Sequence, residues 1–187
     1  MHREIIWRSD DGIGAEYLLL SETESGIVAD SVVFASRDAE PSRTSYRAEL
    51  DLNWHIRSIA VTVEQAGEME RSLELRSDGT GHWRDGDGQS LPQFDGCLDI
   101  DISATPFTNT LPIRRLRLQP GQVEPITVLF IHVPTLRIEL WDQRYTGLTN
   151  DTVRYESVGT VFRRELTIDG DGLVVDYPGL FQRVWSR

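Results

Sequence analysis

The segment Phe94-Asp-Gly-Cys-Leu-Asp-Ile-Asp-Ile-Ser-Ala-Thr-Pro-Phe-Thr-Asn-Thr-Leu-Pro-Ile-Arg-Arg-Leu-Arg-Leu118 gathers the chain's single cysteine, three closely spaced aspartates, two prolines and three arginines. Its first part alternates as a strand does, with Leu98, Ile100 and Ile102 on one face and Asp99 and Asp101 on the other. The alternation then stops. Pro106 and Pro112 cannot donate to a sheet ladder, and Thr108, Asn109 and Thr110 can bond their own backbone, so residues 105–112 read as an ordered turn or one helical turn. Ile113, Leu116 and Leu118, with Arg115 and Arg117 beside them, then read as a new half-buried strand. A polar, proline-framed loop between two strands is where a sheet protein places specific chemistry.

The flanking sequence repeats the strand pattern. Tyr46, Ala48, Leu50 and Leu52 alternate with Arg47, Glu49, Asp51 and Asn53, which predicts a sheet with one wet face. Ile59, Val61 and Val63 repeat the pattern, as do Leu73 and Leu75. Upstream, Ile5–Trp7, Glu16–Ser21 and Ile27–Ala35 read as strands, with turns at Asp10–Gly14 and Ser25–Gly26 and a polar loop over Arg37–Thr44. Ser77–Gly81 is a hairpin turn from which Trp83 opens a return strand. Downstream, Ile126–Val133 is apolar enough for a strand buried on both faces, and Leu136–Leu140, Val153–Ser157, Val161–Ile168 and Leu173–Val175 follow as strands. Tyr177-Pro178-Gly179 reads as a turn closing a barrel edge. With at most short helices, roughly a dozen strands predict an all-β, mainly antiparallel, open or incompletely closed barrel, one domain over 1–187.

Composition narrows the function. A formal charge of −11 opposes binding to nucleic acid or an anionic membrane surface. All 19 basic residues are arginines, so a lysine Schiff base is excluded, and one cysteine excludes an internal disulfide or a multi-cysteine metal site. The N-terminus lacks a run of signal-peptide length and no stretch has membrane-span length, which predicts a cytoplasmic protein without a transmembrane segment. The four histidines are scattered, leaving Cys97 without a base in sequence and offering no metal-ligand spacing. Asp85-Gly86-Asp87-Gly88 opens like a calcium loop but lacks the remaining ligands.

Three groups carry candidate chemistry. Asp99 and Asp101 on one strand face would stand about 7 Å apart, a spacing that suits paired carboxylates in hydrolysis of a sugar or lipid conjugate; the alternatives are a wetted outer face and pairing with Arg114, Arg115 or Arg117. Arg114 and Arg115, on opposite sides of a strand, would send one guanidinium to an aspartate and the other to a cavity mouth, where it would suit a phosphate or carboxylate head group. Trp54, Trp83, Trp141 and Tyr177 serve a core or the stacking of sugar rings.

The run Asp95-Gly96-Cys97-Leu98-Asp99-Ile100-Asp101, continued by Thr105–Leu116, resembles the signature of the putative glycolipid-binding family of bacterial proteins. Tyr46–Arg57, Asp78–Trp83, Gln143–Thr146 and Gly172–Arg183 extend the resemblance over nearly the whole chain, with His82 and Phe94 as departures where Arg and Leu are expected. The resemblance implies a fold similar to the lipoprotein carriers LolA and LolB, with an apolar interior that holds an amphiphilic glycolipid or lipid. The ligand-binding residues expected are Trp54, Trp83, Asp99, Thr108, Asn109, Arg114, Arg115, Tyr145 and Tyr177, with no catalytic residue, metal or cofactor. A partner-binding domain using an open sheet edge is the other alternative to the hydrolase.

Overall fold

The computed structural model describes residues 2–37 and 40–187. Fourteen strands form one sheet: β1 (His2–Ser9), β2 (Ala15–Thr23), β3 (Gly26–Arg37), β4 (Glu40–Leu50), β5 (Ile56–Gln65), β6 (Arg71–Ser77), β7 (Trp83–Asp85), β8 (Ile100–Ile102), β9 (Val123–Ile131), β10 (Ile138–Gly147), β11 (Thr152–Ser157), β12 (Arg163–Ile168), β13 (Val174–Tyr177) and β14 (Phe181–Ser186). Their order is β7-β6-β5-β4-β3-β2-β1-β14-β13-β12-β11-β10-β9-β8. Two antiparallel meanders therefore meet at a central seam, where β1 pairs with β14 from Ile5 opposite Ser186 to Ser9 opposite Phe181. Among the described residues, only β8 runs parallel to its neighbour, β9.

The sheet curls without closing through a ladder. Ile100, Ile102, Leu129 and Ile131 from one margin share an apolar cluster with Ile59, Val61, Leu75 and Trp83 from the other. The gap is bridged by the intervening chain: Leu91 donates its amide to the Trp83 carbonyl at 2.9 Å, Gly96 to Gly81 at 2.9 Å, and the Trp83 indole to the Cys97 carbonyl at 2.9 Å. Gly81 has a φ of 100°, and a Cβ there would stand 3.1 Å from the Gly96 Cα, so this crossing needs glycine. The β7 margin is covered by its own chain rather than left for a partner strand, since Arg84 also bridges to Ser90.

The segment expected to return to a strand after residue 112 is instead a 3₁₀ turn (Phe107–Asn109) running into α1 (Thr110–Leu116). Pro112 lies in the first turn of α1, where no intrahelical partner is required of its nitrogen, and Arg117 ends the helix in the left-handed region with its amide on the Ile113 carbonyl. The strand reading failed because apolar residues at 111, 113 and 116 fit both periods over so short a stretch. Phe107 and Leu111 pack in the larger cluster and Ile113 in a second one with Tyr145, Tyr155 and Tyr177, so the helical segment is a wedge inside the curl.

Four other expectations change. The Arg37–Thr44 loop is instead part of the continuing β3–β4 ladder, paired to Arg37 opposite Glu40, with residues 38–39 outside the described residues; the polar composition of the stretch hides its strand pattern. β9 is exposed from Val123 to Pro125 and buried mainly at Val128, Leu129 and Ile131. The β8 face bearing Asp99 and Asp101 is not wet, because the helical wedge covers it. The Tyr177–Gly179 turn joins β13 to β14 at mid-sheet, and β14, unanticipated, forms the seam. In a meander the turns alternate between two ends, which places 10–14, 103–106, 132–137, 158–162 and 178–180 at one end and 51–55, 117–122, 148–151 and 169–173 at the other.

Candidate functional site

At the first of these ends a cavity of about 280 Å³ lies over Asp101. Its walls are Phe130, Trp141, Tyr155, Phe162, Tyr177 and Phe181, and its polar atoms come from Asp101, Thr105, Asn109 and Ser157. The strands bring these together by register. Tyr145 stands opposite Tyr155, and Gln143 opposite Ser157, so alternate inward positions of β10 and β11 form a polar and aromatic patch. The Trp141 indole donates to the Ser157 hydroxyl at 2.9 Å, while Phe130 stacks on Trp141 with ring centres 5.1 Å apart. Tyr155 meets Phe162 and Tyr177 edge-on at 6.0 and 6.3 Å.

Beneath the aromatic walls the hydrogen bonds converge on one carboxylate. Thr108 donates to Asp101 Oδ1 at 3.1 Å and Gln143 to Oδ2 at 2.6 Å. Tyr145 donates to Gln143 at 3.4 Å, and Asn109 donates to the Tyr145 hydroxyl at 2.9 Å. Thr108 also accepts the Ile102 amide at 3.1 Å, which ties the wedge to β8. Burial raises the Asp101 pKa, offset in part by the bonds from Gln143 and Thr108. Burial, followed by the neighbouring Asp101 charge, holds the phenols of Tyr145, Tyr155 and Tyr177 above the ordinary tyrosine value, so all three are neutral donors near neutral pH.

A groove of about 310 Å³ adjoins this cavity and shares Ser103, Leu180 and Phe181 with it. Val33, Phe34, Ala104 and Val133 make it largely apolar, and Phe34 is 54% exposed at its rim. A second buried acid stands nearby. Glu16 Oε1 accepts three hydroxyls, from Tyr46 at 2.6 Å, Ser31 at 2.8 Å and Thr105 at 2.9 Å. Burial lifts its pKa to about 7, the three hydroxyls opposing the shift.

The expected site residues divide into four groups. Asn109 and Tyr177 line the cavity, and Thr108 and Tyr145 support it from behind. Asp99 and Arg115 are committed to each other in a two-pronged ion pair, with Nε at 3.1 Å and Nη2 at 2.5 Å from Oδ2. Arg114 lies 4.1 Å over the Trp54 ring and donates to the Asp171 carbonyl at 2.5 Å, lining a separate cavity of about 330 Å³ at the other end. Trp83 is buried in the edge bridge. The helix, not a strand, sends the two arginines apart.

Asp99 and Asp101 do not face one cavity, since Asp101 lines it and Asp99 does not. Burial, and then the charges of Asp99 and Asp142, push the Cys97 thiol up to about 11. In the calcium-like loop, Asp85 accepts the amides of Asp87 and Gln89, and among the described residues no cluster of His, Cys, Asp or Glu could hold a metal ion. Among them also, no helix is long and apolar enough to cross a membrane. Phe130, Tyr155, Phe162 and Phe181 were not among the expected residues, while Trp141, read as core or as a ring for stacking sugars, lines the cavity. The signal available was the inward alternation Trp141-Gln143-Tyr145, which places polar and aromatic groups where a core strand carries aliphatics.

Residues 4–183 match the family described as "Putative glycolipid-binding". The chain is similar to a DUF1089 family protein from Pseudomonas aeruginosa whose crystal structure is known, at 45% identity and a TM-score of 0.86, over 91% of this chain and 92% of that one. No curated protein matches the chain.

Proposed function

The chain belongs to the putative glycolipid-binding family, and from that premise we propose that it is a binding protein for an amphiphile, with the polar head over Asp101 and the hydrocarbon in the adjoining groove. The observation that carries this reading is the pairing of the two spaces: an aromatic cavity with a few convergent polar groups, opening beside an apolar groove. Each space is close to the low end of the roughly 300–1,000 Å³ typical of small-molecule sites. Aromatic faces stack on sugar rings or on other flat, weakly polar groups, while each methylene moved into the groove contributes about 0.8 kcal/mol.

Much of the interior beneath the N-terminal meander is filled by Trp7, Leu18, Leu20, Tyr46 and Phe107, so the ligand occupies the end of the barrel and not its centre. In this reading Asn109 and Tyr177 contact the ligand, and Arg114 and Arg115 hold the wedge.

The test is native mass spectrometry with solvent extraction on protein purified without detergent, followed by titration of a lipid panel against Trp fluorescence. A stoichiometric co-purified amphiphile, displaced by saturating added lipid, is the expected result. A bare mass together with no saturable binding across the panel would overturn the reading.

A further inference from the structure

We infer that the head-group cavity selects a cationic nitrogen, an ammonium carried on the polar end of the amphiphile, in preference to a neutral sugar or an anionic group. The inference rests on the amphiphile reading above and adds to it the charge class of the ligand.

Three observations support it. First, Asp101 is 8% exposed, and among the described residues neither arginine nor histidine pairs with it; its oxygens accept from Thr108 and Gln143, both neutral. A carboxylate offers about four acceptor positions, so two remain for a ligand. A buried carboxylate without a cation is costly, and a ligand bringing the positive charge removes that cost. Second, the hydrogen-bond chain is polarised one way. Asn109 gives to Tyr145, Tyr145 to Gln143 and Gln143 to Asp101, so each donor is directed inward and favours Asp101 as the carboxylate, the form that takes a cation.

Third, the walls are aromatic rings, and among the described residues no cationic side chain lines the cavity. Ring faces carry the negative end of the aromatic quadrupole and attract a cation lying within about 6 Å of the ring centre, most strongly when it is desolvated. Arg164 already shows this behaviour on the outer side of the site, 4.6 Å from the Phe162 ring centre and anchored by the Pro178 carbonyl at 2.8 Å. The titratable groups near Asp101 are the phenols of Tyr145, behind it, and of Tyr155 and Tyr177, which line the same cavity; all are neutral and none competes for the ammonium. A phosphate or carboxylate head would meet Asp101 with no guanidinium to offset it. The arginines that the sequence offers for an anion are turned elsewhere.

A quaternary ammonium and the primary amine of an amino sugar share this chemistry and are separated by experiment. Four ligands with one octyl chain are titrated below their micelle concentrations into the full chain by calorimetry: octyltrimethylammonium, octyl glucosaminide, octyl glucoside and octyl sulfate. Either or both of the two cationic ligands bind about tenfold or more tightly than the glucoside, and the sulfate does not bind. A trimethylammonium preference identifies the quaternary source, and a glucosaminide preference identifies the amino sugar. Asp101→Asn abolishes the advantage of the cation, bringing its affinity to that of the glucoside measured on the same variant. Trp141→Leu, at a half-buried wall position outside the hydrogen-bond chain, weakens the cationic ligands several-fold and covers the case in which Asp101→Asn does not fold. Glucoside binding as tight as or tighter than that of both cations overturns the inference and leaves the amphiphile reading standing. Failure of all four to bind overturns both.

Discussion

The two meanders are made of similar strands but enclose different interiors. Inside β1–β7 lie Ile5, Trp7, Leu18, Leu20, Ile59 and Val61, each at most 1% exposed and joined by few polar groups. Inside β10–β13 lie Gln143, Tyr145, Tyr155, Ser157 and Tyr177, with Asp101 and the wedge against them. The first arrangement is stabilised by contact area and shape, and the second by a hydrogen-bond chain that leaves space at one end. The difference teaches that this fold separates a close-packed interior from one that keeps a cavity, with the β1–β14 seam as the boundary. Trp7 spans that seam, its indole donating to the Val174 carbonyl at 2.8 Å.

The comparison can be broken most decisively at Trp7. Trp7→Ala removes a fully buried indole from the packed half and lowers stability by about 3–5 kcal/mol in chemical denaturation. Tyr155→Leu in the polar half, beside existing space, lowers it by roughly 1–2 kcal/mol. Equal losses would mean that the two interiors are packed alike. Next in size is the ion pair behind the site. Asp99→Ala leaves the Arg115 guanidinium without its carboxylate and lowers stability by about 3 kcal/mol, whereas Asp99→Leu combined with Arg115→Met regains most of that loss. No recovery in the double variant would show that the pair has a role beyond neutralising itself.

Glu16 sharpens the comparison through pH. Its folded pKa of about 7 lies above its ordinary 4.5, so the native state holds the proton more tightly. Stability from this group is complete below about 4.5 and is lost as pH rises towards 7, a change of about 3 kcal/mol. Glu16→Gln retains an acceptor for the three hydroxyls and removes the charge. The variant is therefore more stable than the parent at pH 8 by up to about 3 kcal/mol, and the gap closes by pH 4.5, measured by urea denaturation at each pH. A gap independent of pH would remove Glu16 from the account. Smallest is Tyr145→Phe, which deletes one hydroxyl from the chain and lowers stability by about 1 kcal/mol.

Much of the fold was legible because sheet periodicity is local. Alternation at 46–52, 59–63 and 153–157 needs no knowledge of partners to be read as strand. What was misread is also instructive. Residues 113–118 carry too few apolar positions to separate a period of two from 3.6, and the β8 aspartates looked wet because nothing in the sequence near them shows the wedge folding back. The candidate site was half legible: Asn109, Thr108, Tyr145 and Tyr177 belong to the polar loop or the family motifs, while Phe130, Trp141 and Phe162 come from three separate segments outside them.

The sequence alone determined the sheet, the turns that space its strands, the family signature and the supply of side chains, since each depends on residues a few positions apart. Tertiary structure alone decided that Asp99 would take Arg115, that Arg114 would turn to Trp54 and that Asp101 would stand without a cation among aromatic faces. Those outcomes follow from which oppositely charged groups the fold brings within hydrogen-bonding distance, and burial then strengthens each pairing, because charges interact more strongly away from water.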